Sequence, residues 1–236
     1  LVASFIPDSI TANDHEGVLS WFFLLPELSD YSRRDMHISE GVLNAPVLIS
    51  GAALAITGTA IGLKQMDYDR VAHVGVLSAA FFVASLIHVN VGPSTAHLIL
   101  NGMLGLILGW TAFPAILVAL ILQSIFFQFG GITTLGVNTI LMALPAVICY
   151  YAFRKLIHRS PVLAMIGSFS CGFVSVLLSA LFLGLALVFT EKNFWSLAGL
   201  ILAANLPVMV IEGIITVFCV AFLKKVHPAM LNPEIS

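Results

Sequence analysis

What most constrains this chain is the length of its apolar runs. Val162–Phe189 contains no charged residue, and Phe194–Leu223 contains one, Glu212. A helix needs roughly 20 apolar residues to cross about 30 Å of hydrocarbon, and there only a helix or a closed barrel satisfies every backbone N–H and C=O. Shorter runs precede these two: Val47–Leu63, Val71–Val91, Ala96–Trp110, Ala112–Phe129 and Asn138–Phe153. With 59% hydrophobic and 9% charged residues and a mean hydropathy of +1.04, the chain has too much apolar surface to enclose in one water-soluble globule. The pattern predicts an all-α polytopic membrane protein with about seven transmembrane helices in a lipid bilayer. The third and fifth runs are short, the length of tilted or partly re-entrant segments. Gly92-Pro93 and Gly130-Gly131 mark places where irregular backbone has to be covered by protein or water.

Glycines spaced four apart, Gly58 with Gly62 and Gly105 with Gly109, predict close helix–helix approach where lipid supplies no hydrophobic drive for association. No fixed long period repeats, which argues against a solenoid. Basic residues gather in alternate connections: Lys64 and Arg70, then Arg154, Lys155 and Arg159, then Lys224 and Lys225. Basic loops are retained on the cytoplasmic side. Everything before Val47, together with the turns at 92–95 and 128–133, is then expected on the extracytoplasmic face of the cell (inner) membrane. Met36, His37 and the 92–97 turn converge there. A net charge of -2 offers no basic stripe for nucleic acid. Cys149, Cys171 and Cys219 lie inside apolar runs without CxxC spacing, which argues against a disulfide framework or a thiolate zinc site.

The pair Met36-His37 stands at the border between the polar opening and the apolar block. If Met36 carries a free α-amine, that amine, the deprotonated amide nitrogen of His37 and a ring nitrogen of His37 can bind one ion in fused chelate rings. Three corners of a plane are then filled by nitrogen, a field that suits Ni(II), Cu(II) or low-spin Co(II) and suits tetrahedral zinc poorly. His97, just beyond the Gly92-Pro93 turn, is the candidate fourth donor, with His88 as competitor. Ionisable groups at such depths are costly and often functional, yet each histidine is equally well explained by a hydrogen bond to a carbonyl at a helix end. Ser94, Thr95 and Asn138 are candidates for orienting the ligand histidines; for Asn138 a bond between helices is an equal alternative. Asn101 and Gln123 are expected to bond between helices, and Glu212, after Pro207, to meet a neighbouring helix or a partner subunit.

Four stretches taken together carry a resemblance: MHISEGVLNAPVL at 36–48, HVNVGPSTAHLILNGMLGLILGW at 88–110, FQFGGITTLGVNTILMALP at 127–145 and NLPVMVIEGIITVFCVAFLKKV at 205–226. They resemble the CbiM/NikM family, the nickel/cobalt-specific substrate-binding membrane subunits (S-components) of energy-coupling-factor transporters. The resemblance implies uptake of Ni(II), with Co(II) the second choice, as a bound substrate ion and with no catalytic cofactor. It also implies a transmembrane coupling subunit, ATPase subunits and a small accessory membrane subunit as partners. Carried over by motif, the metal ligands are Met36, His37 and His97. The loop that reads Gly-Thr-Ser-Gly-His in some members reads Gly-Pro-Ser-Thr-Ala-His here.

Residues 1–35 are expected to be an extramembrane segment, a separate piece or an accessory-subunit-like module, ahead of a membrane S-component domain at 36–236. The other explanation, a cleaved leader, fits less well, because Asp8, Asp14, His15 and Glu16 precede an apolar run of only about ten residues. With Asp35 covalently attached, the Met36 nitrogen is a peptide nitrogen and the chelate loses its anchor. Rival functions have weaker support. An intramembrane metalloenzyme would need HExxH, but His15-Glu16 is followed by Leu19. A self-powered pump would need GxxxxGK[ST], and Gly58–Lys64 reads GTAIGLK. A channel or gradient-driven transporter of another solute would show charged rings or an inverted repeat, and neither is evident.

Overall fold

The computed structural model describes residues 38, 40–91, 94–127, 129–190 and 195–231. They form α1 (Ala45–Lys64), α2 (Val71–Ser85), β1 (His88–Val91), β2 (Ser94–His97), α3 (Asn101–Leu108), α4 (Ala112–Phe127), α5 (Leu135–Ile157), α6 (Pro161–Thr190) and α7 (Trp195–Val226). Apart from the two-stranded β1–β2 ribbon and short 3-10 turns the architecture is helical, as expected for a polytopic membrane protein.

Helix directions follow from which residues meet. Asn101 lies beside Met142, Gly105 faces Ala146 and Gly109 faces Tyr150, so α3 runs parallel to α5. Gly58 meets Phe113 and Gly62 meets Trp110 and Pro114, so α4 opposes α1. Ser78 donates to the Ala115 carbonyl at 2.7 Å and Gln123 Nε2 donates to Ser85 Oγ at 2.6 Å, so α2 runs with α4. One end of the bundle gathers the basic residues. There Trp110 Nε1 donates to Tyr151 Oη at 3.1 Å, and Lys224 donates to the Ile157 carbonyl. The other end holds Ile38, bonded to Asn138 at 3.0 Å, and Asn44, which caps α1 and donates to Phe189 O at 3.2 Å.

The four-residue glycine spacing does what the sequence predicts. Gly58 and Gly62 are buried on α1, and a Cβ on Gly105 would collide with the Ala146 backbone. The long polar side chains also bond between helices: Asn101 Nδ2 reaches Ser179 Oγ at 2.9 Å, as Gln123 reaches Ser85.

Three spans differ in form from the expected runs. The second is helical only to Ser85; the β-branched sequence around Val89 and Val91, ahead of Gly92-Pro93, favours extended backbone instead. The third contains only eight helical residues, about 12 Å of rise, and an extended entry completes it. The fifth is not short: α5 has 23 residues, because its basic end stays helical past the apolar stretch. There Arg154 lies over the Tyr150 ring at 5.1 Å and donates to its hydroxyl at 2.6 Å, keeping a cation on an apolar stem at the rim.

By length and hydropathy alone, five described segments could cross a bilayer, with Asn101–Phe127 counted as one. Gly109 divides that segment. It sits at φ 55° and ψ -125°, a conformation that L side chains rarely adopt, and the Tyr150 ring lies 3.3 Å from where a Cβ would stand. Gly109→Ala is therefore expected to destabilise the fold by about 1–3 kcal/mol, measured as a lower midpoint in detergent melting followed by circular dichroism.

Candidate metal-capture site

Met36 and His37 lie outside the described residues, as do the side chains of His88, Ser94, Thr95 and His97, whose backbone forms the β1–β2 ribbon. Among the described residues, no three His, Cys, Asp or Glu side chains gather. What the structure places is the backbone on the C-terminal side of each expected ligand segment.

The first segment is held by Asn138. Ile38, the residue after His37, donates its N–H to Asn138 Oδ1 at 3.0 Å, and its carbonyl accepts from Asn138 Nδ2 at 3.3 Å. One amide side chain therefore pairs with both backbone groups of a single residue, as a neighbouring strand would. Thr134 Oγ1, at the N-cap of α5, lies 3.3 Å from the same Nδ2 and fixes the amide's orientation. Asn138 and Ile38 are 3% and 5% exposed, so these bonds are shielded from water. Ile38 packs with Leu43, Val137, Leu141 and Leu187. Two residues on, Glu40 accepts the Thr133 N–H at 3.3 Å, and its side chain fills the space beside Gly131 where a Cβ would stand. The residue pattern left Asn138 open between orienting a ligand and joining helices; what its amide grips is the backbone next to His37.

Asn138→Leu leaves an N–H and a C=O buried without partners, each worth about 1–3 kcal/mol. Faster amide exchange at Ile38 and a lower melting midpoint are the expected results, checked by hydrogen exchange with mass spectrometry.

The second segment is held by Glu212. The Leu98 N–H reaches the Ile87 carbonyl at 3.4 Å, closing the base of the ribbon, and the next two residues turn into α3. Ile99 donates to Glu212 Oε1 at 2.5 Å; Leu100 donates to Oε1 at 3.0 Å and to Oε2 at 3.1 Å. Leu100 is left-handed at φ 53° and makes no side-chain cap of its own; the carboxylate of α7 holds the turn into α3 from across the bundle. Glu212 is fully buried. Its position as the one acid within a long apolar run was legible in the sequence, but its partners, more than a hundred residues away, were not.

The two held segments lie near the same stretch of α5. Asn138 holds Ile38, Leu141 packs in the cluster with Ile38, and Leu141 and Met142 line a small cavity together with Ile99, Val176, Ser179 and Asn205. The segments that follow His37 and His97 therefore approach one helix within about a turn of each other.

Comparison with known proteins identifies the family. Residues 37–230 match the CbiM family, described as the cobalt uptake substrate-specific transmembrane region. A Haemophilus influenzae protein named for metal transport is 42% identical over 200 residues, covering 84% of this chain and 97% of its own. The cobalt transport protein CbiM of Kyrpidia tusciae is 29% identical, over 84% of this chain and 86% of its own. The fused nickel transport protein NikMN of Rhodobacter capsulatus is also 29% identical, over 84% of this chain and 65% of its own. A crystal structure of a truncated transition metal transporter superposes with a TM-score of 0.66 at 27% identity, covering 81% of this chain and all of that one. With the match spanning nearly the whole helical body, the chain belongs to the CbiM family and is a membrane-embedded component of metal transport rather than an enzyme.

Proposed function

We propose that this chain captures Ni(II), and less readily Co(II), at the extracytoplasmic face of the cell membrane, as the substrate-binding subunit of an ATP-driven energy-coupling-factor transporter. The ligands are the Met36 amine, the amide and ring nitrogens of His37, and the ring of His97. The observation that supports this is that the backbone leaving each expected ligand segment is held by a buried polar side chain: Asn138 of α5 holds the residue after His37, and Glu212 of α7 holds the second and third residues after His97. Ile38 and Asn44 lie at the end of the bundle opposite the basic residues, which supports placing the site there. By the positive-inside rule that end faces away from the cytoplasm.

The proposed donor set explains which ions are refused. Mg(II) and Ca(II) seek oxygen ligands and gain little from amines and imidazoles. Cu(II) binds such a plane at least as well as Ni(II), so exclusion of copper rests on its availability or on a later step of transport. Binding displaces amine and amide protons, so capture weakens as pH falls. The lean toward nickel rests on the family resemblance of HVNVGPSTAHLILNG, and relatives of this chain are named for cobalt as well as nickel.

Energy has to come from outside the chain, since Gly58–Lys64 lacks the phosphate-cradling motif. ATPase subunits, a transmembrane coupling subunit and a small accessory membrane subunit are the partners that fit. Ser94 and Thr95, on the strand that ends at His97, and His88 on the paired strand remain the neighbours proposed to orient or replace a ligand.

Metal analysis of the purified chain, after N-terminal sequencing has established whether Met36 carries a free amine, tests this function. About one Ni(II) or Co(II) per chain, with the absorption of a planar nitrogen complex, supports it; a free amine with no retained ion rejects it.

A further inference from the structure

We infer that Glu212 is a positioning residue of the metal site, fixing the backbone that leads out of His97; this rests on the proposed metal-capture function. The structural reasons begin with what a carboxylate costs in this place. Glu212 lies in the middle of a membrane-spanning helix and is fully buried; an ionisable group at that depth is expensive and is retained where it serves a site. Capping α3 does not account for it. An Asn, Asp or Ser side chain at position 100 would accept from the N–H of residue 102 or 103, whereas Glu212 takes the N–H groups of Ile99 and Leu100, which lie ahead of the helix. Leucine stands there instead, in the left-handed region, which L residues with large side chains rarely occupy. A strained backbone residue and a buried acid therefore meet at one point, and strain of that kind persists where surrounding structure over-determines it.

The point they share is two and three residues beyond His97. Between the ribbon's last bond, Leu98 N–H to Ile87 O, and the first turn of α3, the backbone consists of Ile99 and Leu100 alone. Glu212 takes both of their N–H groups. The backbone of His97 is thus held on one side by the β1–β2 ladder and on the other by a carboxylate anchored in α7. α7 is itself packed closely on α6: Gly172 meets Glu212 and Thr216 where no Cβ would fit, and Thr216 donates to the Glu212 carbonyl at 2.7 Å. The carboxylate is therefore presented by a rigid element. A planar four-nitrogen site tolerates little displacement of its single remote ligand, which gives this rigidity a purpose that a helix cap alone would not need.

Glutamine is the informative replacement. In Glu212→Gln the carbonyl can still accept from Ile99 and Leu100, but an NH2 group now points at the Leu100 N–H where Oε2 accepted. The grip on the turn survives in part while the 98–100 backbone shifts. Full-length wild type and E212Q, reconstituted in nanodiscs, would be compared by equilibrium dialysis with Ni(II), by the visible absorption of bound Ni(II) and by thermal melting. The expected result is an affinity about tenfold or more weaker in E212Q, the usual scale for loss of a group that orients a metal ligand, with an altered absorption band and helix content retained. Wild-type affinity with a wild-type band in E212Q overturns the inference and leaves the metal-capture function standing. So does weaker binding that only follows a lower folded fraction with the band unchanged. Wild-type protein with a free Met36 amine that binds no Ni(II) defeats both. If E212Q does not fold, E212D, which keeps the carboxylate on a shorter stem, carries the same test with the same outcomes.

Discussion

His97→Ala is expected to reduce retained Ni(II) or Co(II) to background while the helical bundle stays intact. Its imidazole is the proposed fourth donor and the only one that does not come from the Met36-His37 pair. Its loss opens the plane to water and releases the restraint that separates a protein site from a free peptide chelate. The loss in affinity is expected to exceed the roughly 10–100-fold that follows removal of a merely orienting group. The bundle should survive because its large apolar cluster is built from helix residues such as Phe81, Leu104, Phe113, Ile116 and Met142, while His97 stands on a ribbon strand. The measurements are metal content per chain after gel filtration and the thermal midpoint of the same preparation. Unchanged metal content in H97A, with loss of metal in His88→Ala, would transfer the fourth position to His88.

The second large effect concerns the Met36 nitrogen. A chain whose first residue is Met36 is expected to hold one Ni(II), whereas the same chain acetylated at that nitrogen, or still joined to Asp35, is expected to hold none tightly. The reason lies in how the donors cooperate. The amine binds first and holds the ion close enough for the His37 amide to lose its proton, which an amide does only when the chelate ring is already closing. A peptide bond at Asp35–Met36 removes that first donor and with it the two rings. Because both the amine and the amide release protons, affinity should also fall as the solution is acidified. Equal nickel binding by the blocked and the free chain would eliminate the terminal chelate, whatever the behaviour of His97.

Much of the fold could be read along the chain. Each of the apolar runs became a helix or contained one, because bilayer thickness and the need to pair every backbone group leave few alternatives. The glycine pairs marked real close approaches, since without a Cβ the backbones of α3 and α5 can touch at Gly105 and Ala146. Where the expected runs ended at the wrong residue, the cause was a local preference that hydropathy does not weigh: extended backbone ahead of Gly92-Pro93, a left-handed glycine at 109, and an arginine that remained helical over Tyr150.

The candidate site was legible only in its residue types. Met36-His37 and His97 could be chosen because amines, amides and imidazoles make one kind of metal field, and Asn138 because a buried amide in a span requires partners. Which partners it has is a different matter. Nothing in the sequence around Asn138 identifies Ile38, a hundred residues away, and nothing around Glu212 identifies Ile99 and Leu100. Hydrophobic patterning, a property of neighbouring residues, determined by itself that this chain lives in a membrane and roughly where it crosses. Tertiary structure alone decided which buried polar groups pair, because a hydrogen bond depends on a separation of about 3 Å in space and is indifferent to separation along the chain.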